Sequence, residues 1–279
     1  MEFDLKKTAK EKTIIVAHRG VAGGNIPCNT LCAYENALKQ GADMIEIDVS
    51  LSKDGVPFVF HPGMEYAHLN LHGSLSELTA DEIASLRFVN ADRTPTQYPV
   101  YRLDEVFERF KGRCYINVDK FWEHPDVITE HIRAFDILPQ ILVKTGASDK
   151  CFDVIERVAP DIPYMVLVRS DGTEIHNRLK KRRINYIGQE ILFDSDESPL
   201  CSREYLDFLK SEDILAWANS IVYNYKTVIS AGHTDDAALG GDMDAGWGWL
   251  VRRGFDIIQT DWPLMMKMYL EDSGLLRRA

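Results

Sequence analysis

Two strand-like stretches give the first indication of the fold: Ile14-Ile15-Val16-Ala17-His18-Arg19-Gly20 and Met44-Ile45-Glu46-Ile47-Asp48-Val49. Each is an apolar run of the kind that forms a buried strand, and each acquires ionisable residues where the strand should end. Side chains two residues apart on a strand point to one face, so Glu46 and Asp48 are expected to lie side by side. Two carboxylates held that close repel each other unless a cation or a shared proton relieves them.

Similar apolar runs recur along the chain, and amphipathic stretches lie between most of them. The predicted strands cover 13–18, 44–51, 56–61, 114–119, 140–144, 163–168, 184–192, 213–218 and 255–260. The predicted helices include 30–40, 79–87, 103–111, 125–135, 149–158, 173–182, 202–211 and 263–271. If 56–61 is the second arm of a hairpin turning over 52–55, eight strands remain, and most of them precede a helix. The expected fold is a (β/α)8 TIM barrel, with an open doubly wound sheet as the alternative.

The domain organisation follows from what interrupts this pattern. No linker rich in proline or serine divides the chain, so residues 1–279 are expected to form one barrel domain. Residues 62–100 hold little strand pattern and several turn formers, and we expect them to form an insertion after the hairpin. No glycine-rich dinucleotide fingerprint follows a predicted strand, which disfavours the open nucleotide-binding sheet.

Composition excludes several classes of protein. A hydrophobic content of 45% with 27% charged residues is typical of a soluble globular protein. The net charge of −11 argues against nucleic-acid binding, which needs a basic surface. The charged amino terminus predicts no signal peptide, and no apolar run reaches the ~20 residues of a membrane span. Five scattered cysteines without a CxxC pair favour reduced thiols and a cytoplasmic location.

Catalytic groups of a TIM barrel lie at the carboxyl ends of its strands, and here those ends are polar. His18 and His61 each close an apolar run, and imidazole can act as an acid or a base near neutral pH. Glu46 and Asp48 offer hard oxygen ligands that suit Mg²⁺ or Ca²⁺. Asp119 ends the next barrel strand and is a candidate third ligand.

Cations and aromatic residues complete the candidate site. Arg19 presents a planar guanidinium to phosphate oxygens, and Lys120 presents a point charge. Trp217 ends the seventh barrel strand and is expected either to contact substrate or to fill the core. Residues 231–249 are rich in glycine and aspartate, so we expect a long loop whose acids are solvated. This set of groups predicts metal-assisted chemistry on an anionic small molecule.

The order and spacing of five segments resemble the glycerophosphodiester phosphodiesterase family. The segments are His18-Arg19-Gly20, Pro27-Cys28-Asn29-Thr30, residues 41–49, Lys53-Asp54-Gly55 and Phe58-Val59-Phe60-His61. Later stretches at 76–79, Trp217 and 254–263 also look like that family.

The resemblance implies a phosphatidylinositol-phosphodiesterase-like barrel that hydrolyses glycerophosphodiesters to glycerol 3-phosphate and an alcohol with one divalent cation. It also implies roles for individual residues. The acid/base pair would be His18 and His61, the phosphate contact Arg19, and the metal ligands Glu46, Asp48 and Asp119.

Several positions depart from the family pattern. Cys28 and Pro62 stand where acids are usual, and Asp119 directly precedes Lys120 without the usual intervening residue. Adjacent residues on a regular strand face opposite sides, so either a bulge re-aims Lys120 or another cation such as Lys144 replaces it. Two other functions stay open: a lysophospholipase-D-like or cyclising phosphodiester lyase, and a catalytically weak barrel that only binds a phosphodiester.

Overall fold

The computed structural model describes residues 3–222, 224 and 226–277. The strands in this part of the chain are β1 (Ile14–Ala17), β2 (Met44–Leu51), β3 (Pro57–Val59), β4 (Arg87–Val89), β5 (Pro95–Pro99), β6 (Tyr115–Asp119), β7 (Ile141–Gly146), β8 (Tyr164–Val168), β9 (Tyr186–Ile191), β10 (Leu215–Asn219) and β11 (Ile257–Thr260). The α-helices are α1 (Leu5–Glu11), α2 (Leu31–Lys39), α3 (Glu65–Leu69), α4 (Ala80–Ser85), α5 (Leu103–Phe110), α6 (Pro125–Phe135), α7 (Asp149–Val158), α8 (Gly172–Leu179), α9 (Arg203–Ser211), α10 (Asp235–Gly240), α11 (Trp249–Arg253) and α12 (Pro263–Asp272).

The expected TIM barrel is confirmed. Strands β1, β2, β6, β7, β8, β9, β10 and β11 pair in that order, every pair is parallel, and β11 pairs with β1 to close the ring. Strand β3 adds to the carboxyl end of β2 in the antiparallel direction, as the hairpin over 52–55 predicts.

Alternation along the strands separates two layers of core. On β2, Ile45, Ile47 and Val49 pack into the layer between the barrel and its helices. Met44 belongs instead to the cluster inside the barrel, which also contains residues of α1. Because side chains alternate with period two, Glu46 and Asp48 share the inner face with Met44 and lie closer to the carboxyl end. The apolar lower interior therefore supports polar groups above it.

Gly20 shows why the first motif requires glycine after Arg19. Its φ is +77°, and a Cβ at this position would lie 2.7 Å from the carbonyl carbon of Ala33 in α2. Helix α2 begins beside this contact, where Thr30 Oγ1 accepts a hydrogen bond from the Ala33 N–H. The loop after β1 is thus held close to the first turn of α2, which sets the position of His18 and Arg19.

Residues 62–100 differ from our expectation of little strand structure. Strands β4 and β5 form an antiparallel hairpin there, and they join α3 and α4 around a separate apolar cluster that includes Phe58, Phe60 and Phe88. The strands are short and β5 begins and ends with proline, which hides the alternation that normally identifies a strand. The helix predicted over 79–87 ends at Ser85 because Leu86 is already extended ahead of β4.

The α-helices of the described residues are short, and α6 has 11 residues. None of those helices combines the length and the apolar character needed to cross a membrane.

Candidate active site

A cavity of about 290 Å³ opens at the carboxyl end of the barrel. Six of the predicted site residues line it: His18, Arg19, Glu46, His61, Asp119 and Lys120. Asp48 is buried beside them, because the register of β2 on β6 places Asp48 next to Asp119. The fold thus brings together residues that are about 100 positions apart in the chain.

The carboxylates are held by hydrogen bonds from the loop after β1. Asn29 Nδ2 donates to Asp48 Oδ2 at 2.9 Å, and the guanidinium of Arg19 lies 3.0 Å from the same oxygen. The backbone N–H of Arg19, which has a left-handed φ of 56°, donates to Glu46 Oε2 at 2.8 Å. These contacts use one oxygen of each carboxylate and fix the direction of the other.

The carboxylates also perturb one another. Burial and the charge of Asp48 raise the pKa of Glu46 to about 8. Burial opposes ionisation of Asp119 as well, but the charges of Lys144 and Lys120 outweigh it, so the pKa of Asp119 is lowered. At neutral pH Glu46 therefore retains its proton unless a cation replaces it.

The geometry of the three acids fits a divalent cation. One oxygen from each of Glu46, Asp48 and Asp119 lies within 4.8 Å of the other two. Asp48 Oδ1 is buried and has no hydrogen-bond partner among the described residues, so it is an acceptor that a cation would satisfy. An all-oxygen set suits Mg²⁺ or Ca²⁺ better than a thiophilic metal.

The two imidazoles have different supports. His18 Nδ1 donates to Asp261 Oδ1 at 2.8 Å, whereas His61 Nδ1 donates to the backbone carbonyl of Pro62 at 2.7 Å. The Pro62 carbonyl thus accepts the hydrogen bond from His61 Nδ1, at the position where the family usually has an acid. In each ring the hydrogen bond fixes the tautomer and leaves Nε2 available, and His61 Nε2 lies 4.0 Å from Asp48 Oδ1.

Their surroundings shift the pKa values of the two histidines in opposite directions. Burial opposes protonation of His18, but the hydrogen bond to Asp261 and the charge of Glu46 outweigh it and raise the pKa of His18. Burial lowers the pKa of His61, and the positive charges of Arg19 and Lys120 act in the same direction, so that together they outweigh the opposing charge of Asp48. The arrangement therefore favours a protonated His18 and a neutral His61 at the same pH.

Asp235 is a residue that our reading of the sequence placed wrongly. We expected 231–249 to be a loop with solvated acids, but it contains α10 and a helical turn, and Asp235 is buried. Its carboxylate accepts hydrogen bonds from the side chains of Ser220, Trp247 and Thr260 and from the backbone N–H of Asp261. It therefore anchors the end of β11, where Asp261 orients His18.

Lys120 reaches the cavity by a different route from the one we expected. The pairing of β6 is regular, but Lys120 adopts a left-handed conformation with φ of 60° directly after the strand. Its ammonium therefore returns to Asp119 Oδ2 at 3.0 Å, and a turn residue, not a bulge, re-aims the side chain.

Trp217 requires a correction, since it was a candidate substrate contact. It is fully buried in the barrel interior, and its Nε1 donates to Asn219 Oδ1 at 2.9 Å. The ammonium of Lys144 lies 4.2 Å from the centroid of its ring and 2.8 Å from Glu190 Oε2. Trp217 is therefore a core residue beneath a buried Lys144–Glu190 ion pair that lines the cavity, and sequence reasoning did not predict this pair.

The cavity has two unlike walls. We call the wall formed by Glu46, Asp48 and Asp119 the carboxylate side. Across the barrel, at the ends of β8 to β10 and in the segment that follows, the wall consists of Leu167, Leu192, Ile221 and Ile229, which pack together. We call this wall the apolar side.

Cys28 does not supply a nucleophile in place of the missing acid. Burial raises the pKa of the Cys28 thiol to about 12, so the reactive thiolate is absent at neutral pH. Its sulfur lies 3.8 Å from His68 Nδ1, at a separate surface groove.

Comparison with known proteins identifies the family to which the chain is similar. Residues 18–195 match the family model described as the glycerophosphoryl diester phosphodiesterase family, and residues 164–270 match a second model described as a domain of unknown function. The Bacillus subtilis protein YhdW is 42% identical over 188 residues, which are 62% of this chain and 74% of YhdW. The aligned segments span only 40% and 58% of two further curated glycerophosphodiester phosphodiesterases.

Solved structures share the fold over nearly the whole chain. A glycerophosphoryl diester phosphodiesterase from Parabacteroides distasonis superposes with a TM-score of 0.78 at 20% identity, covering 97% of this chain and 89% of that one. A phosphodiesterase from Oleispira antarctica, solved in complex with the product sn-glycerol-3-phosphate, superposes with a TM-score of 0.66 at 19% identity, covering 93% and 97%. On the strength of the match over residues 18–195, the chain belongs to the glycerophosphoryl diester phosphodiesterase family.

Proposed function

We propose that the protein is a phosphoric diester hydrolase that converts glycerophosphodiesters to glycerol 3-phosphate and an alcohol. The proposal rests on the cluster of Glu46, Asp48 and Asp119 at the cavity. Two histidines line the same cavity, and their pKa values are shifted in opposite directions. The Oleispira antarctica enzyme with bound sn-glycerol-3-phosphate supports the same class of product.

In this proposal Glu46, Asp48 and Asp119 hold one Mg²⁺ or Ca²⁺. The cation, when bound, would withdraw charge from the phosphodiester and offset the charge that develops as the bond to phosphorus breaks. Arg19 and Lys120 line the same cavity and supply positive charge to the phosphate oxygens. Both cations are paired with acids, so they are positioned before the substrate arrives.

The two histidines divide the proton transfers. His61, whose pKa is lowered, accepts the proton of the attacking hydroxyl at Nε2. His18, whose pKa is raised, donates its Nε2 proton to the alkoxide as the phosphorus–oxygen bond to the alcohol breaks. The attacking group is water in direct hydrolysis, or a hydroxyl of the glycerol moiety that yields a cyclic phosphate for water to open.

Alanine substitution of each histidine tests this assignment. His18→Ala and His61→Ala should each lower kcat by about 10²–10⁴-fold, because each removes one positioned proton carrier, and should change KM much less. The assay is release of glycerol 3-phosphate from a panel of glycerophosphodiesters with Mg²⁺ or Ca²⁺. His131→Ala, on the outer helix α6, is the matched control and should retain activity. Wild-type rates in either active-site variant would overturn the proposal.

Phosphorus NMR of the products separates the proposal from its alternatives. Glycerol 3-phosphate as the final product supports hydrolysis, whereas an accumulated cyclic phosphate identifies a lyase. Ligand that stays bound without turnover in the presence of either cation identifies a binding protein.

A cytoplasmic location and a small-molecule partner belong to the same proposal. All five cysteines are free thiols, the form expected in a reducing compartment. The cavity is bounded by the barrel rim and has the dimensions of a small phosphodiester.

A further inference from the structure

Arg169 stands apart from the other cations of the cavity. It follows β8, is exposed, and lines the cavity beside Leu167 on the apolar side. The other three cations each lie next to an acid, and these pairs are Arg19 with Asp48 at 3.0 Å, Lys120 with Asp119 at 3.0 Å and Lys144 with Glu190 at 2.8 Å. Within the part of the chain that the structure describes, the guanidinium of Arg169 has no such partner.

The acids near Arg169 do not neutralise it. Arg169 also lines two surface grooves together with Asp171 and Glu174, but neither acid forms an ion pair with it in the described structure. Inside the cavity, the acid nearest the apolar side is Glu190, which already contacts Lys144 and accepts a hydrogen bond from Asn219 Nδ2. A group that extends from the phosphate along the apolar side therefore meets, at the rim, a cation that has no ion-pair partner among the described residues.

The described residues that line the cavity do not form a site of the kind that recognises a quaternary ammonium group. Such groups bind in cages of aromatic faces. Among the described residues that line the cavity, Trp122 is the aromatic one, and the ammonium of Lys120 lies 5.1 Å from the centroid of its ring. A choline group would have to compete with that ammonium while facing Arg169.

We propose that Arg169 and the apolar side form a subsite for the alcohol portion of the substrate, and that this subsite selects alcohols bearing an anionic group over cationic ones. The proposal rests on the function proposed above and adds the charge of the leaving alcohol to it. Arg169 contacts the anionic group, and Leu167, Leu192, Ile221 and Ile229 contact the carbon chain that joins it to the phosphodiester.

Three substrates that differ in the charge of the alcohol test this subsite. They are glycerophosphocholine, glycerophosphoglycerol and bis(glycerophospho)glycerol, whose leaving alcohols are cationic, neutral and anionic. The wild-type protein should show the highest kcat/KM for the anionic alcohol and the lowest for choline. Arg169→Gln should lower kcat/KM for the anionic substrate by about three- to fivefold, the size expected of an exposed charge pair, mainly through KM. It should leave the neutral substrate within twofold.

Two further variants keep the test specific. Arg169→Lys retains the charge and should preserve most of the preference. Arg183→Gln makes the same change of charge at a guanidinium that is 95% exposed, in the loop before β9 at the other end of the barrel, and should alter none of the three rates.

The failure of this subsite is distinguishable from the failure of the proposed function. Equal kcat/KM for all three substrates, or a preference for choline, would overturn the subsite and leave the hydrolase intact. An equal loss for all three in Arg169→Gln would show a structural role and would also overturn it. If none of the three releases glycerol 3-phosphate, the proposed function fails and this inference fails with it.

Discussion

The carboxylate side and the apolar side of the cavity are built in different ways. The acids of the carboxylate side lie so close together that the charge of Asp48 opposes ionisation of Glu46, and hydrogen bonds from Asn29 and Arg19 hold Asp48 and Glu46 in place. The apolar side is a small packed cluster of Leu167, Leu192, Ile221 and Ile229. A cation bound on the carboxylate side would relieve the repulsion between its acids. The apolar side needs no such ligand, because its side chains pack against one another. We infer that the chemistry belongs to the first wall and substrate selection to the second.

Asp48→Asn addresses the carboxylate side most directly and should have the largest effect. It removes the charge of a proposed metal ligand and the partner of the Arg19 guanidinium, so kcat/KM should fall by about 10³-fold. Steady-state release of glycerol 3-phosphate measures this loss, and calorimetric titration with Mg²⁺ should show weakened binding. Asp207→Asn, an exposed acid on α9, is the control. Activity near that of the control would mean that the acid cluster does not support catalysis.

Lys144→Met tests the ion pair between Lys144 and Glu190, two residues that line the cavity. The Lys144–Glu190 pair is buried, so removing the cation leaves an uncompensated carboxylate and should lower the free energy of unfolding by about 3–5 kcal/mol. Urea denaturation checks this value. The double variant Lys144→Met, Glu190→Leu should recover most of the loss, because it removes both charges together. A double variant less stable than Lys144→Met would contradict a simple ion-pair role.

Asp261→Asn tests whether His18 depends on its hydrogen bond to Asp261. Asp261 raises the pKa of His18, and a general acid loses activity as the pH rises through its pKa. The substitution should therefore move the alkaline limb of the pH–rate profile to lower pH and reduce kcat about 10- to 100-fold.

The matched control for this change is Asp236→Asn, at an exposed acid in the first turn of α10, which should leave both the rate and the profile unchanged. An unshifted alkaline limb in Asp261→Asn would mean that His18 is not the acid.

Metal binding should be linked to pH through Glu46. Because the pKa of Glu46 is raised to about 8, the cation must displace a proton below that pH. Affinity for Mg²⁺ or Ca²⁺ should therefore rise by up to about tenfold per pH unit until pH 8. Calorimetry in buffers of different ionisation enthalpy counts the released proton. In Glu46→Gln the pH dependence should vanish, and its persistence would assign the proton to another group.

The raised pKa of Glu46 also affects the free energy of unfolding when no metal is bound. In the unfolded chain Glu46 has its ordinary pKa, so its contribution to folding is fully present below that value and is lost as the pH rises toward 8. Added cation should raise the melting temperature more at pH 8 than at pH 6. A thermal shift that is larger at pH 6 would contradict the linkage.

The carboxylate side was predictable because its residues lie on strands whose pattern is visible in the chain. The alternation of β2 predicts that Glu46 and Asp48 share a face, and the barrel supplies the neighbour Asp119. The apolar side and its supports were not predictable. Leu192, Ile221 and Ile229 look like ordinary core residues in sequence, and nothing local indicates that Asp235 caps the end of β11.

Lys120 and Trp217 show the same limit at single positions. Adjacent strand residues should face opposite sides, yet one left-handed dihedral angle returns Lys120 to the side of Asp119. The sequence left open whether Trp217 contacts substrate or fills the core, and its depth in the barrel depends on how β10 is staggered against its neighbours. Neither a turn conformation of this kind nor the stagger of strands is specified by residues close in sequence.

By itself the sequence determined the barrel, the acid pair, the two histidines and the family, because each depends on short-range alternation or on motifs within one βα unit. Only the tertiary structure decided that the pKa of Glu46 is raised, that Asp235 and Asp261 support His18, and that Arg169 lines the cavity without an ion-pair partner among the described residues. These properties depend on burial and on distances between residues far apart in the chain. Electrostatic interactions act through space, so their effect appears only once the strands have closed into a ring.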